Sequence, residues 1–247
     1  MFYGLNQQQG QILKSALDII SSLYGRVFRA DHLITMDRCM GFIEDEAFNA
    51  ALGKTAKTEQ EKSLIWRLHT LSWAAKQCLH MPGDFVECGV YRGFCSHFLV
   101  EYTMFNSTEK TFFLYDTFSG IPESQRAGSP VDNGGYQEEG LYEATRDRFS
   151  AYSNVKVIRG VVPDILAESA PEKIAFLHLD MNAAIPEIGA LEQLFDRIVP
   201  GGMVVLDDYG WQTYRAQKDA EDPWFANRGY QVLELPTGQG LVVKRCD

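Results

Sequence analysis

No CxxC pair occurs among the five cysteines, Cys39, Cys78, Cys88, Cys95 and Cys246, and their number is odd. That pattern speaks against both a disulfide framework and a zinc cluster. No apolar run approaches the roughly 20 residues that span a bilayer, so no transmembrane helix is expected. A basic stretch followed by an apolar one, the mark of a secretory signal, is missing at the N-terminus, which leaves the cytoplasm as the expected compartment. Lysine and arginine total 23 against 33 aspartates and glutamates, a net charge of −10, and no basic cluster offers a nucleic-acid footprint. Low-complexity tracts are absent too. With 45% hydrophobic residues in 247, the chain has material for one packed core plus an appendage.

What is present falls into two textures. Residues 6–23 carry Ile12, Leu13, Leu17, Ile19, Ile20 and Leu23 at helical spacing. A second helix is expected over about 59–80, with Leu64, Ile65, Leu68, Leu71, Ala74 and Ala75 on one side, ending at Met81-Pro82-Gly83. Residues 1–82 are thus read as a mostly helical lid and oligomerisation region, and 83–247 as a second, catalytic unit. After Gly83, seven short apolar runs read as strands: 84–89, 111–116, 155–160, 174–180, 202–208, 230–235 and 240–245. Helix-length segments near 93–106, 140–149, 161–169 and 184–198 separate the first five. This alternation predicts an α/β fold, a parallel sheet with helices on both faces. The last two runs are joined by a hairpin-sized link containing Gly238, so the final strand should be antiparallel. A seven-stranded, mostly parallel sheet with an antiparallel last strand is the Rossmann-like class I methyltransferase arrangement.

Ligands of such sheets bind beyond the carboxyl ends of the strands. The first run ends in Glu87-Cys88-Gly89-Val90-Tyr91-Arg92-Gly93, where two glycines permit a sharp turn and close ligand approach. A helix starting near Gly93 offers N–H groups to a carboxylate, and Glu87 is placed to accept from an ammonium. The absence of GxGxxG argues against NAD or FAD. Asp116, followed by Thr117-Phe118-Ser119, is suited to a ribose diol or to capping the turn. Gly160 and Val161-Val162 are placed to line an adenine pocket. These features together point to S-adenosylmethionine.

Asp180, Asp207 and Asp208 end the fourth and fifth runs on the same rim. Gathered carboxylates call for a cation, and a hard ion such as Mg²⁺ takes oxygen ligands and can acidify a bound hydroxyl. The alternative is that the aspartates only cap helices or touch cofactor. Asp180 is the first choice of base and His178 the second, with a core role for His178 the competing reading. The segment 119–140, rich in Gly, Pro and Ser, is a candidate substrate lid. Tyr209, Trp211, Tyr214, Lys218, Trp224 and Phe225 either wall the pocket or belong to the core.

PGDFVECGVYRG, LYDTFSGIPE, HLD…GGMVVLDDY and LPTGQGLVVK together resemble the macrocin O-methyltransferase (TylF/MycF) family, over about Glu59 to Arg245. The resemblance implies Mg²⁺-dependent methylation of hydroxyls under a cover of N-terminal helices and a loop. It also implies metal ligands at Asp180, Asp207 and Asp208, and cofactor contacts along Gly89–Gly93 and Asp116–Gly120. Thr70 and Leu71 would face the cofactor from the lid helix. Where macrolide-branch members follow the first aspartate with Gly-Asp-Leu-Tyr-Glu-Ser, this chain has Met181-Asn182-Ala183-Ala184-Ile185-Pro186-Glu187, which implies another branch and another acceptor.

The expected activity is O-methylation of a small hydroxylated natural product or sugar. Its rivals are metal-independent N- or C-methylation and a non-catalytic nucleotide-binding scaffold. Neither nucleic acid nor membrane is expected as a partner. A homodimer or higher homo-oligomer is, because Leu17, Ile20, Leu23, Tyr24, Val27 and Phe28 would leave a lone lid apolar.

Overall fold

The computed structural model describes residues 2–131 and 136–246. Helix α1 (Gln7–Leu23) opens with a capping box in which Asn6 and Gln9 satisfy each other's backbone N–H groups. The chain then makes a hairpin, β1 (Val27–Ala30) and β2 (Leu33–Met36), joined by Asp31 and His32 at φ 51° and 56°. This strand pair was not expected; the rest of the described front end is mostly helical, as the sequence predicts. Two-residue hairpin turns need positive φ and usually announce themselves by Asn-Gly or Asp-Gly, which this one lacks.

Helices α2 (Gly41–Glu44) and α3 (Glu46–Thr55) follow, the latter capped by Asp45. The single helix expected over 59–80 is two, α4 (Glu59–Ser63) and α5 (Ile65–Cys78), parted at Leu64. Leu68, Leu71, Ala74, Ala75 and Cys78 form the buried side of α5, which packs on the sheet.

The main sheet contains β3 (Asp84–Cys88), β4 (Phe112–Asp116), β5 (Val155–Arg159), β6 (Ile174–Leu179), β7 (Ile198–Leu206), β8 (Leu233–Glu234) and β9 (Gly240–Val243). Between them run α6 (Phe94–Tyr102), α7 (Leu141–Arg148), α8 (Leu166–Ser169), α9 (Ala184–Leu194) and α10 (Arg215–Ala226). The strand order is β5-β4-β3-β6-β7-β9-β8. Strands β3 to β7 pair in parallel, and β9 lies antiparallel to both β7 and β8, as the sequence predicts. Several elements are shorter than expected. The helix predicted over 161–169 is confined to 166–169, that over 93–106 stops at Tyr102, and the sixth run pairs only at Leu233 and Glu234.

Alternation along the strands divides the core by face. Phe85, Phe112, Leu114, Phe176 and Val205 pack with α5, α6 and the N-terminal Phe28, Phe42 and Phe48. Val86, Phe113, Tyr115, Leu177 and Leu206 pack with α8, α9 and α10. Each fully buried side chain of this size contributes roughly 1.5–3 kcal/mol. The N-terminal segment shares the first of these clusters with the sheet. Strand order reverses at β3, since β4 lies on one side of it and β6 on the other, and the crevice for a ligand opens there.

Candidate active site

Gly89 turns the chain out of β3 at φ 89°, and a Cβ on it would overlap the Asp180 carbonyl oxygen, so only glycine fits. Gly93 (φ 71°) precedes α6, and a Cβ there would lie 2.7 Å from the Phe149 ring. The intervening turn is tied to the end of β4. Asp116 Oδ2 accepts the N–H groups of Val90 and Tyr91, both at 2.7 Å, while its Oδ1 accepts the Phe118 N–H at 2.6 Å. Asp116 therefore braces the glycine turn and also faces the crevice.

The cleft at this point has a volume of about 140 Å³. Gly89, Tyr91, Asp116, Thr117, Gly160 and Asp180 line it, together with Gln125, Tyr136, Val162, Met181, Asn182 and Pro186. The remaining residues singled out for the cofactor lie elsewhere. Val90 and Phe118 are buried in the core, and Arg92 pairs with Glu138 at 2.7 Å. Ser119 is exposed, as is Val161, whose neighbour Val162 takes the cleft position. Leu71 is 1% exposed within the core, and Thr70 beside it does not line the cleft. Of the predicted lid, Gly120, Ile121, Pro122, Gln125 and Tyr136 form cleft wall; residues 132–135 lie outside the described residues.

Glu87 and His178 sit beneath this floor. Glu87 Oε1 lies 2.9 Å from His178 Nδ1, and His178 Nε2 lies 3.7 Å from Asp207 Oδ1. Burial disfavours charge on His178, but Asp207 and Glu87 outweigh it and push the imidazole up to about 10. The second oxygen of Glu87 is buried with no partner among the described residues.

Asp180, Asp207 and Asp208 do converge: one oxygen from each lies within 4.8 Å of the others. Arg67, which sequence reasoning missed, reaches them from α5. Its Nη1 is 2.6 Å from Asp207 Oδ2 and 3.0 Å from Asp208 Oδ1. Its Nε donates to Asp31 Oδ2 at 2.7 Å, and its guanidinium lies 4.8 Å from the Trp211 ring centre. Gln239, from the β8–β9 hairpin, donates to Asp207 Oδ1 at 2.9 Å. Burial opposes charge on Asp207, yet Arg67 and His178 hold its carboxyl below the usual range. Burial and the like charge of Asp207 raise Asp208 to about 7 despite Arg67, and burial with both neighbours raises Asp180 well above its ordinary value.

The aromatics after β7 divide. Tyr209, Trp224 and Phe225 are core residues, whereas Tyr214 and Tyr136 face Asp180 and Asp208. Lys218 is engaged by the Tyr209 hydroxyl at 2.7 Å and Glu234 at 3.1 Å.

The strand order, the antiparallel β9, and the glycine turn facing acidic strand ends define a class I S-adenosylmethionine-dependent methyltransferase. Residues 64–225, more than half of the chain, match the sequence profile of the macrocin-O-methyltransferase (TylF) family, and the chain belongs to that family. It is 29% identical over 177 residues to 8-demethyl-8-(2,3-dimethoxy-alpha-L-rhamnosyl)-tetracenomycin-C 4'-O-methyltransferase of Streptomyces olivaceus, covering 64% of this chain and 68% of that protein. To mycinamicin III 3''-O-methyltransferase of Micromonospora griseorubida it is 27% identical over 165 residues, covering 58% of this chain and 62% of that one. The fold is similar to that of the O-methyltransferase NovP, with a TM-score of 0.63 and 23% identity, covering 74% of this chain and 81% of NovP. Among the described residues no helix is long and apolar enough to cross a membrane.

Proposed function

We propose that the chain transfers the methyl group of S-adenosylmethionine to a hydroxyl of a small natural product or sugar. The observation that carries this reading is the position of Asp180, which lines the cofactor cleft and belongs to the three-aspartate cluster beside it. The two named relatives, O-methyltransferases of a rhamnosyl-bearing tetracenomycin and of mycinamicin III, support the acceptor class.

The methyl donor brings its own activation as a sulfonium, so the protein aligns the acceptor oxygen and removes a proton. Asp180 is the base: with its pKa raised by burial and like charge, it is suited to hold that proton. His178 has no exposed surface and acts through Glu87 and Asp207 rather than on substrate. Asp116, Thr117, Gly160 and Val162 hold the nucleoside, and the unpartnered oxygen of Glu87 receives the ammonium. The described parts of the segment 119–140 and of the N-terminal region up to residue 82 cover the site.

Mg²⁺ assistance is the finer part of the proposal. Three crowded carboxylates, two of them with raised pKa, fit a hard divalent ion, which Asp180, Asp207 and Asp208 would hold. Bound there, such an ion supplies Lewis acidity toward an acceptor hydroxyl. Transfer without metal is the second reading, and Arg67 favours it, because its Nη1 already neutralises Asp207 and Asp208.

We place the protein in the cytoplasm, which its five free thiols suit. Self-association through α1 is also proposed. Leu17 and Phe28 are buried within the fold, but Leu23, Ile12 and Ile19 are 73%, 63% and 63% exposed. A monomeric mass by light scattering would refute that part.

The test is calorimetric titration with S-adenosylmethionine and S-adenosylhomocysteine, with and without Mg²⁺, followed by an acceptor screen read by mass spectrometry. A methyl ether product is expected; methylation at nitrogen or carbon, or no cofactor binding, overturns the proposal. Turnover that persists in chelator decides for the metal-free reading.

A further inference from the structure

Behind the cleft, between α9 and α10, lie two carboxyl groups that methyl transfer does not use. Glu187 is 1% exposed and Glu221 is 0%. From the first turn of α9, the Glu187 side chain turns back toward the β6–α9 connection. Its Oε1 accepts the Met181 N–H at 3.0 Å and an Nε2–H of Gln217 at 2.7 Å. The Asn182 backbone N–H lies beside the same carboxylate. Glu221, from α10, lies across from Glu187, and neither of its buried oxygens has a hydrogen-bond partner among the described residues. Two buried carboxylates do not face each other without a proton between them. Glu187 already has two donors and Glu221 has none, so the shared proton belongs on Glu221.

The turn gripped in this way is part of the site. Met181 and Asn182 line the cleft. Asn182 is 7% exposed with φ 58°, a left-handed turn conformation that asparagine tolerates better than other side-chain-bearing residues. Its Nδ2 approaches Asp180 Oδ1 at 3.3 Å, and its carbonyl accepts from Ser129 Oγ at 2.6 Å. Whatever fixes the amides of residues 181 and 182 therefore also fixes one cleft wall and the residue next to the base.

We propose that Glu187 is a positioning residue for the cofactor site, clamping the Met181–Asn182 turn from behind with Glu221 as its buried hydrogen-bond donor. The inference rests on S-adenosylmethionine occupying the adjoining cleft, and the clamp itself is testable without ligand.

Two measurements serve: backbone amide hydrogen exchange on the ligand-free protein, and calorimetric titration with S-adenosylhomocysteine. In the unaltered protein the Met181 and Asn182 amides are expected to exchange slowly, although they lie in a turn. Glu187→Leu should lose that protection and bind S-adenosylhomocysteine about tenfold more weakly. Glu187→Gln keeps an acceptor for Met181 and a donor for Glu221, and should restore both. Glu221→Gln still donates to Glu187 and should match the unaltered protein. Fast exchange of these two amides in the unaltered protein overturns the clamp with no variant needed. So does a folded Glu187→Leu protein with normal affinity and protection. Slow exchange without any S-adenosylhomocysteine binding would leave the clamp standing and remove the cofactor reading instead.

Discussion

Glu87 and His178 are register partners on the adjacent parallel strands β3 and β6, with Oε1 of one 2.9 Å from Nδ1 of the other. Neither has appreciable contact with solvent, and the pair continues to Asp207 on the far side of the ring. His178 is thus a buried cation between two carboxylates, one under the cofactor turn and one in the acid cluster. Removing one member of such an arrangement strands the others. His178→Leu is expected to lower stability by about 3–5 kcal/mol in urea unfolding. A loss below about 1 kcal/mol would mean that the ring is not charged in the fold.

Arg67→Met should show what the guanidinium neutralises. Asp31, Asp207 and Asp208 would be left facing one another, with a stability loss again of about 3–5 kcal/mol. If the aspartates accept a divalent ion, millimolar Mg²⁺ should raise the melting temperature of the variant more than that of the unaltered protein. Equal shifts in the two would count against metal binding by this cluster.

Two glycine substitutions should have opposite signs. Gly89→Ala forces a Cβ into the Asp180 carbonyl at positive φ, so S-adenosylhomocysteine binding should disappear and the melting temperature fall. Gly10→Ala lies inside α1 with nothing within 4 Å of the new methyl, and should stabilise by about 0.5–1 kcal/mol. Calorimetric melts of the two proteins check both.

His97 provides a pH prediction remote from the acid cluster. Burial, and then the charge of Arg148, lower its pKa from 6.5 to about 4, with Glu101 opposing. The folded state therefore prefers the neutral ring, and the unfolded chain binds the proton more readily. Stability from this group is complete above about pH 6.5 and lost as pH falls toward 4, by up to about 3 kcal/mol. His97→Gln should flatten the acid limb of a stability–pH curve over that interval; an unchanged slope would contradict the assignment.

The sheet was legible because each strand is a short run of Phe, Leu, Ile and Val whose alternate residues feed opposite core faces. Asp116, Asp180, Asp207 and Asp208 were found for a related reason: an acid that closes a buried run lies at the sheet rim. The β1–β2 hairpin was not legible, since its turn is Asp31-His32 and its conformation depends on contacts made by those two side chains. Arg67 looks in sequence like any polar residue of an amphipathic helix, and only the helix's placement aims it at β7. Val161 and Val162 were ambiguous because β5 ends at Arg159, and one residue along the exit decides which valine faces inward.

The bond from Arg67 Nε to Asp31 Oδ2 joins a residue inside the family-matched span to one that precedes it, since that span begins at residue 64. A chimera that grafts residues 64–225 onto the front end of a relative would import the arginine without its chosen counterpart. Position 31 and position 67 form a single module for recombination, and a crossover placed anywhere between them should be tolerated only where the donor front end also supplies an acid at the hairpin tip.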